Sequence, residues 1–282
     1  MPTVRRELYD ALVFDLDGTL LDAHGRVTPR TRAEIVRARD RGYTVVIATG
    51  RSLAGTREVH AELGLDTDVV CYNGAWIGRR DGTSPWHYAP IPDDLLREVT
   101  GAEARAEFHF RHQGEAKYTT RTGHPHHPRV TRWYTNAVVV DPPTGVLPDR
   151  DLLRVSLFFQ GPEVVDAAWD TLSGEARERL DKNVFPMSIF PEFADVDLVL
   201  CEVQRRGLGK AETLRFLLER HGIPPERVVA VGDQANDLPL LREAGLAVAM
   251  GNAIPEAMEV ADVVIGDHRA EGVANWMALE VE

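Results

Sequence analysis

A chain of 282 residues with 44% hydrophobic content is longer than one core usually organises, so two domains are expected. Lys and Arg number 32 against 44 Asp and Glu, and the resulting net charge of -12 excludes a general nucleic-acid or anionic-membrane surface, which makes any phosphate site local. No uncharged stretch approaches the roughly 20 residues of a membrane span, Met1 to Asp10 holds no apolar leader core, and Cys71 and Cys201 lie in apolar runs, so a soluble, cytoplasmic, disulfide-free protein is expected.

In chain order, the apolar run Ala11-Leu12-Val13-Phe14 suits a strand buried on both faces and delivers Asp15-Leu16-Asp17-Gly18-Thr19 at its carboxyl end. Two carboxylates at a buried strand end must be hydrogen-bonded, protonated or held on a cation. Thr28 and Pro29 open a helix through Arg39 that Gly42 stops, and Thr44 to Ala48 is a second strand ending in Thr49-Gly50-Arg51. Val69 to Tyr72 is a third strand ending in Asn73-Gly74. This alternation predicts a parallel sheet with its ligand crevice at the carboxyl ends of the strands. Ala75 to Gly78 and Trp86 to Ala89 flank Asp81-Gly82 as a hairpin that leaves the first domain. An α+β insert follows: a helix over 92–106, strands within 107–121, an irregular Pro- and His-rich stretch from Thr122 to Pro148, a strand over 153–160, a helix over 163–180 and a strand over 196–203. The first pattern resumes at Lys210, which opens a helix with Leu214, Leu217 and Leu218 on one face, and the strands Val228 to Val231, Leu246 to Met250 and Val263 to Ile265 make about six. The prediction is a Rossmann-like, doubly wound α/β core over 1–80 and 190–282, with an inserted α+β domain over 81–189.

Asp15 and Asp17, Thr49, Lys210, and Asp233 with Asn236 and Asp237 should converge on one crevice. Several hard oxygen ligands without a soft one describe a Mg²⁺ site better than a zinc site. A metal, a hydroxyl and an ammonium together suit a phosphoryl group in transfer. Other readings are weaker. Gly207-Leu208-Gly209-Lys210 lacks the first glycine of a nucleotide loop, having Gln204 there, and has Ala211 where a metal-binding hydroxyl belongs. His87, His109, His112, His124, His126 and His127 show no dependable metal spacing and are expected on a surface or substrate rim. Trp86, Phe108, Trp133 and Tyr134 are expected in the core or rim of the insert. Arg51 reads as a solvated or packing residue.

The run Asp15-Leu16-Asp17-Gly18-Thr19-Leu20, then Ala48-Thr49-Gly50-Arg51, then Lys210, then Gly232-Asp233-Gln234-Ala235-Asn236-Asp237, in that order, resembles the four motifs of the haloacid dehalogenase superfamily of phosphatases. An insert between the second and third motifs is similar to a type II cap, and Tyr72-Asn73-Gly74-Ala75 with Ala244 to Ala253 resembles the Cof-type subgroup. The resemblance implies that Asp15 attacks phosphorus and forms an aspartyl-phosphate while Asp17 serves as acid and then base. It further implies Mg²⁺ on the Asp15 carboxylate, the Asp17 backbone carbonyl and Asp233, with Asp237 direct or one layer out, and the phosphoryl held by Thr49, Gly50 and Lys210 with Asn236 as an added contact. Ala211 after Lys210, and Ala257-Met258 where a Lys is common, depart from the subgroup's wording.

The expected activity is Mg²⁺-dependent hydrolysis of a small phosphorylated metabolite, a sugar or polyol phosphate by analogy, by a monomer or dimer with no nucleic-acid or membrane partner. A phosphotransferase or mutase using the same intermediate, and a non-catalytic phosphometabolite-binding module, are the alternatives.

Overall fold

The structure, a computed structural model, describes residues 3–141 and 147–282, which form two compact units, Met1–His87 with Leu208–Glu282 and Tyr88–Gly207. In the first unit β1 (Ala11–Phe14), α1 (Pro29–Asp40), β2 (Thr44–Ile47), α2 (Leu53–Glu62) and β3 (Val69–Cys71) follow one another, then β4 (Trp76–Gly78) and β5 (His87–Tyr88). Thr28 caps α1 as its spacing predicted, its hydroxyl accepting from the Thr31 N–H, and Ser52 caps α2 in the same way through Gly55.

The second unit contains α3 (Asp93–Glu103), β6 (Phe108–Gln113), β7 (Ala116–Thr120), α4 (His127–Trp133), β8 (Ala137–Val140), β9 (Leu152–Phe159), α5 (Pro162–Trp169), α6 (Gly174–Arg179), β10 (Leu180–Pro186) and β11 (Val199–Arg205). Its six strands run in the order β10-β11-β9-β6-β7-β8. Odd positions of β9 (Val155, Leu157, Phe159) pack with Leu95, Val99 and Val165 of the helices, whereas Phe158 packs on the other face with Phe108, Phe110 and Val130. That alternation is the two-residue strand period at work.

The chain returns to the first unit through α7 (Glu212–His221), β12 (Val228–Gly232), α8 (Leu238–Glu243), β13 (Leu246–Ala249), α9 (Pro255–Val260), β14 (Val263–Val264) and α10 (Gly272–Glu280). Five parallel strands form the sheet β14-β13-β12-β1-β2. β1 lies between β12 and β2, with Phe14 opposite Val231 on one side and Ile47 on the other. The residues just past these partners therefore emerge side by side where the strand order reverses.

Several expectations are corrected. β3 joins the parallel sheet only by the bridge Ala48–Val70 and instead pairs antiparallel with β4, in a three-stranded sheet with β5. The hairpin thus stays with the first unit, whose first segment ends at 87 and not 80. Trp86 goes with it, its ring 5.4 Å from that of Phe216. The second boundary falls at 207 and not 190, because β11 is bound in register to β9 and β10. The stretch 122–148, expected to be irregular, contains α4 and β8, of which Val130 is buried in the aromatic core and β8 pairs parallel with β7; residues 142–146 of that stretch lie outside the described residues. The helix expected over 163–180 is broken in two, with the Ser173 hydroxyl capping the second piece through the Ala176 N–H. On α7, Leu218 is 49% exposed and Phe216 takes the buried place beside Leu214 and Leu217. His112 and His127 are buried, not on a rim, and His127 stacks on Phe110. Cys71 and Cys201 form no disulfide and are buried, and burial pushes the Cys201 thiol up to about 12. Among the described residues no helix is long and apolar enough to cross a membrane.

Candidate active site

β1 ends by donating the Asp15 N–H to the Val231 carbonyl (3.1 Å), which seats the Asp15 carboxylate, buried, at the mouth of the β1/β12 pair. The chain then turns through Leu16–Leu20, closed by the Leu21 N–H on the Leu16 carbonyl, with Gly18 at φ +77°. Gly18 is obligatory on two counts: that φ favours glycine, and a Cβ there would stand 2.3 Å from Asp233 Oδ2.

Lys210 lies two residues ahead of α7 and not on a strand end, yet it is 0% exposed. Its ammonium contacts Asp15 Oδ1 at 2.8 Å and Asp237 Oδ1 at 2.6 Å. Burial opposes the charge on Lys210, but the Asp15 and Asp237 carboxylates outweigh it and hold the ammonium above the usual lysine range. β12 ends in Gly232-Asp233, and the short turn Ala235–Asp237 folds the second acid back. Asp237 Oδ2 accepts the N–H groups of Asp233 and Gln234 at 3.0 and 2.9 Å. With Lys210 on its other oxygen, Asp237 is fully engaged by the protein. Asp233 accepts from Thr19 Oγ1 at 2.9 Å and Gln234 Nε2 at 3.1 Å, and Asn252 ties Gly18 to the same carboxylate.

Oxygens of Asp15, Asp233 and Asp237 lie within 4.8 Å of one another. Of these three buried acids, only Asp15 and Asp237 touch the buried Lys210. Burial, with Asp237 and Asp233 adding repulsion against the pull of Lys210, drives the Asp15 carboxyl well above its ordinary range, and burial with Asp237 lifts Asp233 to about 6. A desolvated, under-neutralised cluster of hard oxygen donors fits a divalent cation. No thiol or imidazole belongs to the cluster.

Thr49, Gly50 and Asn236 form a second group. Thr49 is buried, its hydroxyl accepts the Arg51 N–H and its carbonyl accepts the Asn73 N–H at 3.0 Å. Asn236 Nδ2 donates to Asn73 Oδ1 at 3.0 Å, and a Cβ on Gly50 would lie 3.1 Å from that same Oδ1 and 3.7 Å from Asn236 Nδ2. Asn73 therefore joins the sequence-predicted residues and was missed by sequence reasoning as a site residue. The signal was there, since Asn73-Gly74 is a strand-end polar pair like the others.

Asp17 departs from expectation. Its side chain is 59% exposed, outside the buried cluster, and Arg51 grips it with Nε to Oδ2 at 2.8 Å and Nη2 to Oδ1 at 2.6 Å. Arg51 is thus a partly solvated residue that pairs with Asp17. Only a three-dimensional pairing across 34 positions could reveal it.

A family profile described as haloacid dehalogenase-like hydrolase matches residues 12–277. Pyridoxal phosphate phosphatase YbhA of Escherichia coli is 28% identical, with 94% of this chain and 96% of that protein covered. The 5-amino-6-(5-phospho-D-ribitylamino)uracil phosphatase YcsE of Bacillus subtilis is 30% identical, with 96% of each covered. Among solved structures, a haloacid dehalogenase-like hydrolase from Bacteroides thetaiotaomicron superposes with a TM-score of 0.79 at 23% identity, covering 96% of this chain and 99% of that one. The match runs through both segments of the first unit and across the second, so it takes in every strand end that supplies the acids, Lys210 and Thr49. The chain belongs to the haloacid dehalogenase-like hydrolases, as a phosphoric monoester hydrolase of the Cof type.

Proposed function

We propose that the protein hydrolyses a small phosphorylated metabolite through an aspartyl-phosphate on Asp15, with Mg²⁺ as its cofactor. The observation that carries this reading is the buried Asp15–Lys210–Asp237 contact set beside Asp233. Folding gains little from burying three acids beside one lysine, because such burial is costly, and sites of this kind are where function uses the cost.

Asp15 attacks phosphorus, a new Asp15–phosphorus bond forms, and the ester oxygen leaves with a proton from Asp17. Asp17 then takes a proton from water as that water attacks phosphorus and the Asp15–phosphorus bond breaks, releasing inorganic phosphate and restoring both carboxyls. Lys210 and Thr49, with Gly50 and Asn236 beside them, hold the nonbridging oxygens, and Lys210 keeps the nucleophile from being repelled by its neighbours. Asp15, Asp233 and the Asp17 backbone carbonyl would hold Mg²⁺, which when bound supplies positive charge against the acids and the phosphoryl group. Asp237, with both oxygens occupied by Lys210 and backbone N–H groups, serves as orienting partner in place of direct ligand. The relatives named for pyridoxal phosphate and for a phosphoribitylamino-uracil support a small phosphomonoester, and we take sugar or polyol phosphates as the first class to test.

The test is phosphate release from an aryl phosphate and a panel of sugar and polyol phosphates, with and without Mg²⁺. Wild-type turnover that needs Mg²⁺ and falls by about a thousandfold or more in Asp15→Asn is expected. Turnover in Asp15→Asn equal to wild type would sink the nucleophile assignment. Release of phosphate to an added alcohol in preference to water would replace hydrolysis by transfer.

A further inference from the structure

The turn Tyr72-Asn73-Gly74 is the most strained segment near the site. Its residues have φ of +52°, +52° and +92°, and for a tyrosine that conformation is an outlier. Strain of this kind persists only where surrounding contacts over-determine it. Here they do. The Tyr72 N–H donates to the Arg51 carbonyl at 2.9 Å and the Asn73 N–H to the Thr49 carbonyl at 3.0 Å, so the turn grips the loop after β2 at both ends. Gly74 packs so closely under the loop before α7 that a Cβ would stand 2.4 Å from the Gly209 carbonyl, one residue from Lys210. From the turn's centre the buried Asn73 side chain holds Asn236 through Oδ1. One three-residue turn thus touches the segments that carry Thr49 and Gly50, Lys210, and Asn236.

We propose that Tyr72-Asn73-Gly74 is the positioning element of the phosphate pocket, with Asn73 as a positioning residue that aims Asn236 and registers the Thr49 loop against Lys210. The inference rests on the phosphatase reading above and adds to it a fifth segment. Its physical logic is that loops from two separate strands and a helix cannot be held to the tolerance phosphoryl binding requires without a shared brace. A left-handed Asn supplies one, since it adopts positive φ at low cost while its amide reaches across the gap.

The test uses the Mg²⁺-loaded protein with inorganic phosphate and an aryl phosphate as probes. Asn73→Gly keeps the backbone conformation and removes the side chain, so the unliganded melting temperature should hold to within a few degrees. KM and the inhibition constant for inorganic phosphate should both rise about fivefold, the equivalent of one hydrogen bond, and more than kcat falls. Asn236→Ala should do the same, and the double variant should be no worse than the poorer single one. Asn73→Asp keeps both the turn and an acceptor oxygen but adds a negative charge beside the anion, and should weaken phosphate by more than about tenfold. Additive single effects, or phosphate constants in both Asn73 variants equal to wild type, would overturn the proposal. A wild-type protein that releases no phosphate, or releases it equally in Asp15→Asn, would instead overturn the phosphatase reading.

Discussion

Each unit buries charge on a sheet, but the two do so in opposite ways. In the second unit Arg154 and Glu202 face each other across β9 and β11 at 2.8 Å, and Gln204 lies within reach of the same guanidinium. That pair is one cation against one anion. Nearby, burial holds His112 well below the ordinary histidine range, hence neutral, and Ser156 Oγ lies 2.8 Å from its Nε2. In the first unit two buried acids touch one lysine and a third, Asp233, stands within 4.8 Å of them. A matched buried pair is a structural device that apolar residues could replace, whereas an unmatched cluster stores a demand for positive charge. Charge imbalance, and not buried charge as such, marks the site.

The largest effects should come from breaking both arrangements in parallel. Arg154→Met leaves Glu202 buried alone and should cost about 3 to 5 kcal/mol, read as a lowered denaturant midpoint, and Arg154→Met with Glu202→Leu should restore most of it. Lys210→Met should cost a similar amount, and Lys210→Met with Asp237→Asn should recover stability without recovering phosphate release. Full activity in that last variant would mean that Lys210 is a structural cation like Arg154, and the contrast between the units would collapse.

A middle-sized effect follows from Asp233. Its carboxyl titrates at about 6 in the folded protein and near 3.9 unfolded, so the folded state prefers the protonated form. Stability is then whole below pH ~4 and is lost as pH rises toward ~6, by roughly 3 kcal/mol at neutrality in metal-free protein. His60 works in the other direction: burial lowers it to about 4, so its protonation removes stability as pH falls below ~6.5. The clean measurement is therefore the difference between wild type and Asp233→Asn, whose gap should widen from pH 4 to 7 in favour of the variant without metal. Mg²⁺ should raise the wild-type melting temperature more at pH 7 than at pH 5. A gap that does not change with pH would remove the electrostatic strain from the account of the site.

What the sequence made legible was what is written locally. The Thr28-Pro29 start, the Gly222 stop at φ +67° and the apolar strand runs each need only neighbours to be read, and they held. The placement of the acids, Thr49 and Lys210 beside element ends was legible because each follows or precedes such an element. Less legible was whatever depends on partners far along the chain. β8 is a strand because β7 offers it an edge, and α4 is a helix because Val130 fits among Phe108 and Phe158, against a Pro- and His-rich composition. β3 pairs with β4 along one edge and keeps only the bridge Ala48–Val70 to the parallel sheet on the other. Lys210 sits where a positive charge opposes the helix dipole, and the Asp15 and Asp237 carboxylates account for its burial.

The smallest expected effect concerns Arg51, where the same contrast reappears at the surface. With Asp17 59% and Arg51 33% exposed, their ion pair is solvated, and such pairs are worth about 1 kcal/mol or less. Arg51→Gln should therefore leave the melting temperature nearly unchanged. The two parallel bonds nevertheless fix the Asp17 carboxylate in one orientation, which a single lysine contact would not. If Asp17 supplies the proton, losing that restraint should slow alkyl phosphates, whose leaving oxygens need protonation, by about three- to tenfold, and aryl phosphates less. Equal slowing of both classes would put Arg51 on phosphate binding and not on Asp17, and a large loss of stability would show that the pair, though exposed, belongs with the buried network after all.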